Sequence, residues 1–123
     1  MGACSNPQTT ISFLTPTVTV TITAGQKIFV MAHAALGAGV SPASNLNIYP
    51  GYMVQGTTTV LPVGGGIFGL TAPANSRQIY SISGVLPPLT AGTYHVGMAG
   101  SSSNAANWIN SEWAYVTVLV LNP

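Results

Sequence analysis

Trp113-Ala114-Tyr115-Val116-Thr117-Val118-Leu119-Val120-Leu121 is the stretch on which the fold turns. Aromatic and β-branched residues fill it, and such side chains favour the pleated, half-buried surface of a sheet. Side chains on a strand alternate between two faces. Trp113, Tyr115, Thr117, Leu119 and Leu121 share one face, and Ala114, Val116, Val118 and Val120 share the other. An antiparallel strand with one wet side shows a polar row. Neither row here is polar. One side is therefore expected in the core of a β-sandwich and the other against a second copy of the chain.

Working outward, the rest of the chain repeats this chemistry in short segments. Runs rich in Val, Ile, Thr, Tyr and Phe are broken by Gly, Pro and Asn, the pattern of an antiparallel sandwich or barrel. Strands are expected over 10–14, 17–23, 27–36, 45–55, 57–63, 67–70, 78–86, 93–99 and 112–121. In 17–23, Val18, Val20 and Ile22 point one way and the threonines the other. The Ala-rich stretch 32–38 continues a β-branched and aromatic run rather than starting a helix. Pro50-Gly51 suggests a bulge or an edge strand, and Gly64-Gly65-Gly66 a turn or a close approach of another chain. The strand of 93–99 has Tyr94, Val96 and Met98 on one side and is read as a second strand with a covered outer face. Nine or so strands with one long loop over 100–110 make a jelly-roll count. The expected organisation is a flexible segment over 1–9 and a single all-β domain over 10–123, an antiparallel jelly-roll β-sandwich.

Charge narrows the function. Lys27, Arg77 and Glu112 are the only charged side chains among 123 residues, 2% of the chain, against about 25% in average proteins. Disorder does not explain this, because 47% of the residues are apolar and disorder requires low hydrophobicity. Charge is depleted at the cores of protein interfaces, so a protomer that buries a second face fits. With a net charge of +1, the chain has too few cations to displace counterions from phosphates, and no nucleic-acid partner is expected. No apolar run approaches the ~20 residues that cross a bilayer. The opening MGACSNPQTT lacks the basic and apolar regions of a secretory signal and has Asn6 where a myristoylation pattern wants Ser or Thr. An extracellular or cell-surface location is nonetheless expected, by a route this chain does not display. Cys4, the single cysteine, reads as an incidental thiol or a tether to a neighbouring protomer.

Leu89, Ala91-Gly92-Thr93-Tyr94-His95-Val96 and the strand from Tyr115 to Leu121 resemble the tumour-necrosis-factor and complement-globular-head superfamily of trimeric jelly rolls. In that superfamily a Gly-x-Tyr strand lies beside the final strand, in the sheet that lines a three-fold axis. Val96 stands where the vertebrate heads usually carry Phe, and no collagen-like stalk precedes the domain. Gly64-Gly65-Gly66-Ile67-Phe68-Gly69-Leu70 and the stretch from Asn107-Trp108 to Glu112-Trp113 are similar to bacterial members. The resemblance implies a homotrimer whose axis is packed by Tyr94, Val96, Tyr115, Thr117 and Leu119.

Catalytic constellations are absent from the sequence. Glycoside chemistry needs two carboxylates and Glu112 stands alone. Zinc needs three or four ligands from a chain offering Cys4, His33, His95 and Glu112, and Gly64-Gly65-Gly66 lacks the Lys and Ser/Thr of a phosphate loop. No enzyme, metal or cofactor is expected. Glu112 is expected to pair with Arg77 or Lys27. His33 and His95 read as hydrogen-bonded strand residues, or as groups repeated around an axis to gather an anion or a metal. Trp108 and Trp113 bracket Asn110 and Glu112, and an aromatic ring beside amide and carboxylate groups suits a sugar. The alternative is that one tryptophan caps the core and the other anchors a loop. Bacterial lectins of the resembling superfamily have sites between protomers lined by Tyr, Ser, Thr and Arg, types that Arg77, Tyr80, Tyr49 and Tyr52 supply. The expectation is a trimeric, non-enzymatic module that binds carbohydrate, or else a structural or surface-display protein without a small ligand.

Overall fold

The computed structural model describes all 123 residues, Met1–Pro123, and is built of strands with one short 3-10 turn. Ten strands form: β1 (Gly2–Ala3), β2 (Ser12–Phe13), β3 (Val18–Ile22), β4 (Lys27–Gly37), β5 (Ala43–Val54), β6 (Leu61–Pro62), β7 (Ile67–Ala72), β8 (Arg77–Val85), β9 (Gly92–Ser102) and β10 (Trp113–Leu121). They make two antiparallel sheets. Sheet I has the order β1-β10-β4-β8. In sheet II, β9 and β5 are central, β2 and β3 pair with β9, and β6 and β7 pair with β5. The chain is thus all-β and sandwich-like.

Alternation explains the core. Ile28, Val30, Ala32, Ala34 and Leu36 are the inward row of β4, and Val20 and Ile22 the inward row of β3, with Thr19 and Thr21 exposed as their spacing requires. One cluster gathers around Leu14, Leu36, Leu46, Ile48, Met98 and Trp108. A second contains Val20, Ile22, Ile28, Leu86, Tyr94 and Val96, and Val116 packs against both.

Several expectations are corrected at the margins. The strand expected over 57–63 shrinks to Leu61–Pro62, because Thr57 instead closes a turn, its N–H and hydroxyl both donating to the Val54 carbonyl. The strand of 10–14 shrinks to Ser12–Phe13. The loop of 100–110 starts later, because Gly100, Ser101 and Ser102 extend β9. Gly2 and Ala3, placed in the flexible segment, pair with Ala114 and Trp113. Pro50 lies in a strand paired on both sides, not in an edge strand. Its missing N–H falls where the neighbour changes from β7, which last pairs at Ile48, to β6, which first pairs at Gly51. The Pro50 carbonyl still accepts there from the Val63 N–H at 2.9 Å.

One glycine is required by a close crossing. Both β2 and β3 lie on β9, and the link between them passes over Gly97. A Cβ there would stand 2.8 Å from the Thr15 hydroxyl, which accepts from the buried Met98 N–H at 3.0 Å, and 3.2 Å from the Pro16 carbonyl. Gly97→Ala is expected to destabilise the fold by about 1–3 kcal/mol, the range for overpacking, read as a lower urea midpoint at unchanged slope.

Candidate functional site

The outward face of sheet I follows from the same alternation that builds its core. Trp113, Tyr115, Thr117, Leu119 and Leu121 form its row on β10. Register sets Tyr115 beside His33 and Ser81, Thr117 beside Met31 and Ser83, and Leu119 beside Phe29 and Val85. Tyr115 and Leu119 are each 54% exposed and Ile79, on β8, is 75% exposed. Nine residues at ~3.4 Å and three strands at ~4.8 Å give this face a projected area of about 400 Å². Large apolar side chains share this area with the polar Thr117, His33, Ser81 and Ser83. Its charges sit at the ends: Lys27 opposite Leu121, and Arg77 with Glu112 near Trp113.

At the Trp113 end the face meets a polar cluster. Arg77 Nη1 pairs with Glu112 Oε2, Arg77 Nη2 donates to Asn110 Oδ1 at 2.7 Å, and Arg77 Nε donates to the Asn110 carbonyl at 3.1 Å. One guanidinium thus fixes the loop before β10 and holds the single carboxylate. Both partners are substantially exposed, so water screens the pair and its contribution to stability is at most about 1 kcal/mol. Beside it, His33, Ala35, Ile79, Glu112, Trp113 and Tyr115 surround a concavity of about 250 Å³. The pairing of Glu112 with Arg77 is as expected.

The other expected ligand residues do not join this cluster. Trp108 is fully buried, its indole Nε1 donating to the Ser44 carbonyl at 2.9 Å. Tyr80 packs edge-on against it, ring centres 5.8 Å apart, and donates its hydroxyl to the Thr71 carbonyl at 2.6 Å. Neither ring can stack on a sugar, because both faces are occupied by core. Tyr49 and Tyr52 lie on β5, in the other sheet. The structure thus brings together Arg77, Asn110, Glu112 and Trp113, and separates them from Trp108, Tyr80, Tyr49 and Tyr52.

The expected axis residues divide in the same way. Tyr115, Thr117 and Leu119 are outward, whereas Tyr94 and Val96 are buried in the second core cluster. The reason is topological. β9 is not beside β10: it pairs with β2, β3 and β5, while β10 pairs with β1 and β4. The outer side of β9 is covered at Gly97 by the chain's own Phe13, Thr15 and Pro16. No second copy is needed there.

The two histidines lie on different sheets, His33 Nδ1 bonded to the Ser81 hydroxyl at 2.7 Å and His95 Nδ1 to the Thr19 hydroxyl at 3.1 Å. No three His, Cys, Asp or Glu side chains come together. No helix is long and apolar enough to cross a membrane. Burial pushes the Tyr80 phenol above its ordinary value of 10.0. A phenol raised in the folded state contributes stability below its unfolded pKa and loses it as pH climbs through the folded value. Tyr80→Phe is therefore expected to lose less stability than the parent as pH rises above about 10, measured by urea titration at each pH.

Comparison with protein-family models, with curated proteins and with solved structures finds no match. The functional reading rests on the residues and their geometry.

Proposed function

We propose that this protein is a self-assembling, non-enzymatic binding module of the jelly-roll type, trimeric, taking carbohydrate near its protomer boundaries. The observation that carries this reading is the set of exposed large apolar side chains on the outward face of sheet I, Tyr115, Leu119, Met31, Ile79 and Val85, interspersed with the uncharged polar residues Thr117, Ser81 and Ser83. Burial of a large apolar side chain is worth about 1.5–3 kcal/mol, so half-exposed Tyr115 and Leu119 would each gain roughly half of that. The occupant is a second copy because the centre of the face has no charged residue to recognise a charged partner, and its uncharged mixture of Tyr115, Leu119, Met31, Thr117 and Ser83 suits a face of the same composition.

The jelly-roll reading is supported by the strand order. With β2 and β6 set aside and the two-residue strand β1 kept, eight strands remain, and they pair first with last, second with seventh, third with sixth and fourth with fifth. That is a long antiparallel hairpin rolled into two sheets. The carbohydrate reading is supported by Trp113, at the end of the face, beside the Arg77–Asn110–Glu112 cluster, where a sugar's apolar face and its hydroxyls both find partners. Three sites in one particle would multiply a weak single-site affinity without new contacts. An extracellular location suits such a module.

Arg77→Ala tests the sugar reading. It is expected to reduce retention on immobilised neutral glycans at least tenfold while shifting stability by about 1 kcal/mol or less. Unchanged retention removes the cluster from the site, and no retention by the parent protein favours a structural role for the assembly.

A further inference from the structure

Sheet II carries on its outer side a groove that differs in every respect from the face of sheet I. Its floor is polar and uncharged: Asn47 of β5 lies directly across from Ser101 of β9, with Asn45 and Ser103 beside them and Thr9 at the rim. The groove is a shallow, open depression of about 740 Å³. Lys27, Arg77 and Glu112 all belong to the other sheet or its edge, so no charge enters the groove.

A bulge supplies the aromatic wall. Between the pairs Leu46–Leu70 and Ile48–Ile67, β5 advances two residues while β7 advances three, so Phe68 and Gly69 together face Asn47. Such bulges re-aim side chains and are frequent beside binding sites. Gly69 takes φ of 72°, which the bulge needs, and its N–H donates to Asn47 Oδ1 at 3.2 Å. This leaves the Asn47 amide nitrogen aimed at the groove. Phe68, 60% exposed, is held from behind by Tyr49, edge-on with ring centres 5.8 Å apart. A rigidly seated phenyl ring facing water is a cost unless something apolar covers it. Asn45, the groove's other amide, sits in the left-handed backbone region at φ of 54°, uncommon strain that clusters at ligand sites.

We infer that this groove is a second binding site, for a neutral saccharide, with Phe68 stacking on the sugar ring and Asn45, Asn47 and Ser101 bonding its hydroxyls. The hydroxyls and amides of Thr9, Asn45, Ser101 and Ser103 make no side-chain hydrogen bond within the protein, so they are free to do so. Acidic saccharides are discriminated against, because the groove offers no cation to replace the water lost by a carboxylate or sulfate. The inference shares the carbohydrate class of the proposed function but not its site. Being on the sheet opposite the self-association face, the groove stays open in the assembly.

The test is backbone-amide NMR of the full chain titrated with glucose, galactose, mannose, fucose and N-acetylglucosamine, with sialic acid as the acidic control. The expected result is saturable shifts at Asn47, Phe68, Gly69 and Ser101 with at least one neutral sugar and none with sialic acid. Phe68→Ala should weaken that binding at least tenfold and Phe68→Tyr should retain it. The exposed ring carries little of the fold, so an unchanged spectrum elsewhere verifies the variant. Shifts confined to Glu112 and Trp113 would overturn the groove while sustaining the edge site. Shifts at the groove that survive Phe68→Ala, or no groove shifts with any sugar, would overturn it too.

Discussion

Replacing Leu119 with lysine is expected to dissolve the proposed assembly into folded protomers of 12.5 kDa. Leu119 stands in the row beside the middle of the sheet I face, next to Phe29 and then Val85. In a free protomer the new ammonium group sits in water and costs the fold little. In the assembly it is buried where no carboxylate can reach it, because Glu112 is the only acid in the chain and is already held by Arg77. An uncompensated buried charge costs about 3–5 kcal/mol, which weakens association roughly 10²- to 10⁴-fold at 1.4 kcal/mol per decade. Sedimentation velocity at micromolar concentration reads this directly. Val40→Lys, in an exposed loop, is the control and should leave the particle intact.

Trp108→Ala carries the largest expected effect on the fold itself. The indole is wholly enclosed by the first core cluster, packs edge-on against Tyr80 and donates to the Ser44 carbonyl. Its removal leaves a cavity beneath the loop that joins β9 to β10. Emptying a buried tryptophan site costs about 3–5 kcal/mol, equivalent to a fall in melting temperature of roughly 10–20 °C for a domain of this size. The Ser44 carbonyl keeps the Ser102 hydroxyl as a donor at 2.9 Å, so the loss is one of packing rather than of an orphaned acceptor. Trp113→Ala, on the outward face, should cost less than about 1 kcal/mol when compared in the monomeric Leu119→Lys background, as surface changes do. Thermal melts of the two variants separate a core tryptophan from a surface one.

The contrast between these tryptophans shows what the sequence could reveal. Trp113 begins a strand whose period of two assigns every side chain to a face, and β3 and β4 were legible for the same reason. Trp108 follows a 3-10 turn, Ala105–Asn107, where no period exists and nothing local says whether a ring points in or out. Its neighbours Asn110 and Glu112 do reach the surface, which made a joint sugar site plausible. Tyr94 and Val96 were assigned to an axis because the resemblance placed their strand beside β10. Their own alternation, with His95 between them, already marked one inner row and one outer row. Which sheet that strand joins depends on pairings across the whole chain, and no local pattern encodes those. The groove on sheet II was hidden for a related reason. Phe68 follows Ile67 in an apolar run, and only the register shift against β5 turns it outward.

The central claim is that the outward side of sheet I is covered by sister copies. The mass of the native particle in solution, by light scattering coupled to size exclusion at micromolar concentration and again in high salt, tests it most directly. The account predicts a species of about three times 12.5 kDa that persists as salt rises, because apolar contact is not screened as charge pairing is. A homogeneous 12.5 kDa species under both conditions would contradict it.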